Sequence, residues 1–169
     1  GTPYDLHLLD FDRVSDSGSA RVWLTDNADI YFSFDRFSRR GASATTQEVG
    51  REIFTFDKPV REESRQLALG LNLHTRRYSV TVEGRHSNFE NDNTYFLPGT
   101  ADGGAGAVYP TTLFAYSLSQ PYELKTDVGT FRFTARPFDR LQLSGSAQLS
   151  ALDEDLSHAE SGSGLNELN

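Results

Sequence analysis

The sequence predicts an all-β fold, an antiparallel up-and-down meander of about seven long strands that forms an arc of a large transmembrane β-barrel. Three observations carry this reading: apolar residues recur at every second position over long stretches, one hairpin design occurs three times, and tight turns alternate with long connections. No run approaches the ~18 to 20 consecutive apolar residues that a membrane-spanning helix needs, so strands would have to make any crossing.

The first strand is placed at residues 4–12. Ala20, Val22 and Leu24 then alternate toward a break at 26–28, and Ile30, Phe32 and Phe34 leave it with Ser33 and Asp35 on the other face. This gives strands at 19–25 and 29–38. The clearest period of two is Leu67, Leu69, Leu71 and Leu73 against Gln66, Ala68, Gly70 and Asn72. After a polar break at 74–77, Tyr78, Val80 and Val82 oppose Ser79, Thr81, Glu83 and Arg85, so strands are expected at 65–73 and 77–88. Phe131, Phe133 and Ala135 alternate with Thr130, Arg132 and Thr134. Beyond them Leu141, Leu143, Ala147 and Leu149 alternate with Gln142, Ser144, Ser146 and Gln148. Strands at 127–136 and 140–152 follow, with Pro137 in the turn because it cannot donate a ladder hydrogen bond. Residues 39–64 and 89–126 are read as long loops. The barrel segment is assigned to 1–152, and the acidic stretch 153–169, rich in Ser and Gly, to a polar loop or disordered tail.

A hydrophobic content of 37% and a mean hydropathy of -0.51 are ordinary for a soluble protein. They are equally compatible with a barrel wall, which needs apolar residues only at alternate positions. A soluble β-sandwich interaction module shares the same period. Strands near the ~9 to 11 residues of a membrane strand, and loops long at one end only, favour the barrel, with tight turns periplasmic and long loops outside. Trp23, Tyr31 and Tyr78 near the tight turns, with Phe37, Phe89, Tyr95 and Phe96 near the long loops, are expected to form two interfacial aromatic girdles. The chain starts at Gly1 without a charged-then-apolar leader and reads as a mature protein or an excised piece of a longer one.

A net charge of -8 argues against a nucleic-acid binder, which needs a basic face. The absence of cysteine suits an oxidising periplasm and excludes a thiolate metal site or covalent haem in this chain. His7, His74, His86 and His158 are scattered and do not form a metal-binding pair. The acidic stretches 90–93 and 153–155 lack the spacing of a calcium loop and read as solvated turns. The glycine-rich stretch 99–106 lacks the Lys and Ser/Thr of a phosphate cradle. The expectation is therefore a protein that is not an enzyme, with no metal and no cofactor of its own. Function is placed on the polar face, where Arg21, Asp35, Glu83, Arg85 and Arg132 alternate with the apolar face and are expected to point into a lumen. Charges there set ion selectivity or hold a partner, or they pair across strands and keep the interior wet.

Several segments carry a family resemblance. They are Phe34-Asp35-Arg36-Phe37 leading to Arg39-Arg40-Gly41, then Thr45-Thr46 with Arg51-Glu52 and Phe54, and Asp57-Lys58-Pro59-Val60. Further on come Glu90-Asn91-Asp92-Asn93, Tyr95-Phe96-Leu97-Pro98-Gly99, and Gln120-Pro121-Tyr122 before Thr126. Together they resemble the MtrB/PioB type of outer-membrane barrel over most of residues 19–152. The resemblance implies a bacterial outer-membrane barrel with many more strands than this chain supplies. It also implies a function, a sheath for a periplasmic multihaem c-type cytochrome in transmembrane electron transfer, with haem in the partner only. A general porin or transport barrel for small solutes is the alternative.

Overall fold

In the computed structural model, residues 10–49, 52–103 and 111–166 are described, and strand dominates them. The elements are β1 (Asp10–Thr25), β2 (Ala28–Val49), β3 (Glu52–His74), β4 (Tyr78–Asn91), β5 (Thr94–Phe96), β6 (Ala101–Asp102), β7 (Thr111–Ser119), β8 (Tyr122–Phe138), β9 (Leu141–Leu156) and β10 (Ala159–Asn166). Every pairing is antiparallel. Each tight turn closes as its sequence allows. At the second, the Thr75 hydroxyl accepts from the backbone N–H of Tyr78 at 3.1 Å. At the third, a bulge between Ala135 and Phe138 absorbs Pro137.

The elements are fewer than they look. The β4–β8 ladder ends at Asn91 opposite Tyr122, and the β5–β7 ladder resumes at Thr94 opposite Ser119. Gln120 N–H donates to the Asn93 carbonyl at 2.7 Å across this gap, so β4 with β5, and β7 with β8, are interrupted single passes. In the same way β9 continues into β10, Tyr122 opposing Leu156 and Ser119 opposing Ala159. Among the described residues the wall therefore has six passes, in the order β1, β2, β3, β4/5, β7/8, β9/10. The expected separate strands at 19–25 and at 4–12, so far as the latter is described, are one strand, β1. Residues 4–9 and His7 lie outside the described residues.

Two further expectations are corrected. The expected long loop at 39–64 is strand over 39–49 and 52–64, because β2 and β3 stay paired from Ala28 opposite Leu73 to Val49 opposite Glu52. Its apolar alternation, Phe54, Phe56 and Val60, is interrupted by Lys58 and flanked by charged residues, which hides the strand from a pattern that looks for unbroken apolar alternation. Residues 89–126 likewise contain β5, β6, β7 and the start of β8. The stretch 153–156 completes β9, and within the expected tail β10 (Ala159–Asn166) is held by β7 although rich in Ser and Gly.

The unbroken registers of β2–β3, β3–β4 and β4–β8 sort the side chains cleanly. One face carries Ile30, Phe32 and Phe34, then Leu67 to Leu73 at odd positions, then Val80, Val82, Phe131 and Phe133. Most of these are exposed in this chain, Leu69 at 60% and Leu149 at 81%. Toward the long-connection end the same face turns charged within one row: Asp16, Arg36, Arg65 and Lys125, then Glu63, Glu90 and Glu123. Arg36 and Arg65 oppose each other, and both donate to Glu63, at 2.9 and 2.7 Å. The wall continues past this row for the length of distal β2 and β3, where its one packed core lies among the described residues: Phe54, Phe56, Leu113, Tyr116 and Leu118, with Val49, Tyr95 and Leu97 against them.

Candidate functional site: the polar face of the sheet

Opposite the apolar face, the registers align a belt of polar side chains near the tight-turn end. Tyr31 on β2, Gly70 on β3, Glu83 on β4 and Thr130 on β8 form one row, with Arg21 of β1 opposite Tyr31. The Tyr31 ring lies over Gly70 so closely that a Cβ there would overlap it. The missing side chain lets the phenol cross β3 and donate to the Glu83 carboxylate. Arg85 donates to the other Glu83 oxygen at 2.8 Å. Arg132, beside Thr81, is near enough for its charge to act on both Glu83 and Tyr31.

Arg21 ties the belt to the next row. Its Nε stands 3.4 Å from Asp29, and its guanidinium lies over the Tyr31 ring at 5.8 Å. Asp29, only 4% exposed, also accepts from the Asn72 amide at 3.0 Å, and the Asn72 oxygen accepts from Thr81 at 2.8 Å. One ion pair and two hydrogen bonds therefore link polar side chains across four strands, and the buried Asp29 carboxylate meets a donor.

All five residues singled out from the sequence lie on this face. Arg21, Glu83, Arg85 and Arg132 come together in the belt. Asp35 lies outside it, two rows along β2 from Tyr31, opposite Ser17 and Gln66. The sequence reading missed Asp29 and Tyr31. Tyr31 has the parity of Ser33 and Asp35, and that parity was the available signal.

The aromatic-girdle expectation fails for Trp23, Tyr31, Phe37, Phe89 and Tyr95, which sit on the polar face. There Arg13 stacks on Phe37 at 4.9 Å, Phe89 meets Tyr122 at 6.2 Å, and Lys58 lies 5.1 Å from the Tyr95 ring. An aromatic at a strand end satisfies the girdle pattern from either face, and only register separates the two.

His86 meets Asp127 at 2.7 Å on the apolar face, and His158 lies between Gln120 and Glu160. No group of three or more His, Cys, Asp or Glu side chains converges on a metal-sized site among the described residues. Asp153, Glu154 and Asp155 alternate between faces within β9. Outside the apolar band, the hydrogen bond from Arg65 holds the Glu63 carboxyl below its ordinary value, and Arg36 acts the same way.

No helix among the described residues is long and apolar enough to cross a membrane. The one-sided apolar band on an open antiparallel wall is instead the surface that a barrel offers to lipid. No curated protein matches the chain. The sequence model of outer membrane β-barrel porins, MtrB/PioB, matches residues 9–155, most of its length. The chain thus belongs to the MtrB/PioB family of outer-membrane β-barrel porins, its strands forming an arc of a barrel in the bacterial outer membrane.

Proposed function

We propose that this arc is a non-enzymatic part of a barrel wall whose lumen sheathes a multihaem c-type cytochrome, the partner's haems carrying electrons across the outer membrane. In this reading the polar face is the lumen face, and Arg21, Asp35, Glu83, Arg85 and Arg132 point into it. The observation that supports it best is the size of the side chains there. Ser15, Ser17 and Ser19 on β1 and Ser144, Ser146 and Ser150 on β9 share that face. Small hydroxyl-bearing residues leave a broad, wettable surface against which a folded protein can lie closely. Internal pairing of Arg21 with Asp29 and of Arg85 with Glu83 keeps the belt nearly neutral. A neutral wall neither repels a partner nor selects strongly among ions.

The test is to purify the full-length barrel from outer membranes of cells that express multihaem cytochromes. Haem absorbance is expected to co-purify with it. A haem-free barrel that conducts ions in planar bilayers would overturn the sheath and support a porin for small solutes.

A further inference from the structure

The charge of this wall is divided along its strands. The chain carries a net charge of -8, and beyond the apolar band, toward the long connections, Glu63, Glu90, Glu123, Asp153 and Asp155 crowd adjacent rows. The opposite end is basic. Its tight turns at 75–77 and 136–140 hold Arg76, Arg77, Arg136 and Arg140 against a single acid, Asp139.

These two turns are clipped into one surface. Tyr78 opposes Ala135, the Arg136 N–H donates to the Arg77 carbonyl at 2.7 Å, and Arg77 Nη1 donates to the Pro137 carbonyl at 3.1 Å. Arg136 gives its Nε to Gln142 at 2.9 Å, on the polar side of the sheet that Arg132 and Ser144 share. All four arginines are exposed. Among the described residues none of them pairs with a carboxylate, whereas Arg21, Arg36, Arg39, Arg61, Arg65 and Arg85 each do. Bonds to neutral carbonyl and amide oxygens leave the guanidinium charge uncompensated and most of its donors free.

We propose that this arginine patch is a docking surface for an acidic face of the protein partner held in the lumen. With tight turns on the periplasmic side, as bacterial barrels have them, the patch rims the mouth through which a periplasmic protein enters. The inference rests on the sheath reading and adds the chemistry of the partner, clustered Asp and Glu at the end that this rim holds. Arg136 and Gln142 lie on the polar face, away from the lipid-facing band, and a guanidinium takes a carboxylate through two parallel hydrogen bonds. Positive charge at one end of an otherwise acidic wall draws an acidic partner to that end and orients it.

The test compares three full-length barrels: wild type, a variant combining Arg76→Gln, Arg77→Gln, Arg136→Gln and Arg140→Gln, and one with the same four arginines changed to Lys. Each is purified from outer membranes of cells that express multihaem cytochromes, washed at rising NaCl and read as haem per barrel, with heat-modifiable migration as the check on folding. Wild type and the Lys variant are expected to keep haem at low salt and lose it as salt rises, and the Gln variant to keep about tenfold less at low salt. Equal haem in wild type and the Gln variant would overturn the proposal and leave the sheath standing. Equal loss in the Gln and Lys variants would assign the arginines to holding the turns and overturn it too. A haem-free wild type would sink the sheath itself. The patch is then judged separately, in phosphatidylcholine nanodiscs, by a labelled poly-glutamate peptide that should bind wild type about tenfold more tightly than the Gln variant. Equal binding would overturn the acidic-partner surface, as would loss of the peptide when phosphatidylglycerol replaces phosphatidylcholine, which would assign the patch to the leaflet.

Discussion

Gly70 and Tyr31 carry the tightest constraint in the polar belt, because the phenol reaches Glu83 only across a residue without a side chain. Gly70→Val should displace the ring and destabilise the barrel by about 1–3 kcal/mol, read as a lower unfolding temperature on heat-modifiable gels. Tyr31→Phe should cost only about 1 kcal/mol, since Arg85 still satisfies Glu83. Beyond the membrane band, burial raises the Tyr116 phenol from 10.0 to about 12, and its hydrogen bond to Glu160 adds to the shift. Because the folded value lies above the unfolded one, the stability that this tyrosine contributes is complete below pH 10. It is lost as pH rises through about 12. Absorbance titration should show a tyrosine component ionising near 12, and Tyr116→Phe should remove it.

At the scale of elements, hairpins were legible wherever one face was apolar. Leu67, Leu69, Leu71 and Leu73 announce β3 in the membrane band. The same strand from Glu52 to Ser64 carries Lys58, Arg61, Glu62 and Glu63 among its apolar residues and reads as loop by the same pattern. What holds that half is main-chain pairing along β2, plus a small core that no local period reveals, since Phe56 meets Tyr116 only through the pairing of β3 with β5 and of β5 with β7. Phe56, 0% exposed, centres this core. Phe56→Ala is expected to cost about 3–5 kcal/mol locally. Hydrogen exchange should then quicken in 52–60 and 111–119 while residues 66–73 stay protected. Quickening throughout the wall would mean that the rim and the membrane band fold as one unit.

The candidate site was legible by parity and opaque by contact. Alternation placed Arg21, Asp35, Glu83, Arg85 and Arg132 on one face, but pairing Arg21 with Asp29 needs the β1–β2 register, and leaving Asp35 outside the belt needs β3. Register also corrected the strand count. The seven expected strands become six passes, and the described sheet is open because β1 pairs with β2 alone and β9 with β8 alone.

For the whole molecule, an open wall with two free edges and a broad exposed apolar band is a form that persists only when further strands and lipid cover it. Residues 1–169 alone, refolded into detergent, should therefore oligomerise through β1 and β9. The central claim is that one face of this wall meets lipid and the other meets water. As the chain has no cysteine, single cysteines placed along β3 at residues 66 to 72 of an otherwise cysteine-free full-length barrel, spin-labelled in membranes, test it directly. The account expects oxygen accessibility to peak at Leu67, Leu69 and Leu71 and water-soluble nickel chelate accessibility to peak at Gln66, Ala68 and Asn72. A uniform profile, or the opposite phase, would contradict it.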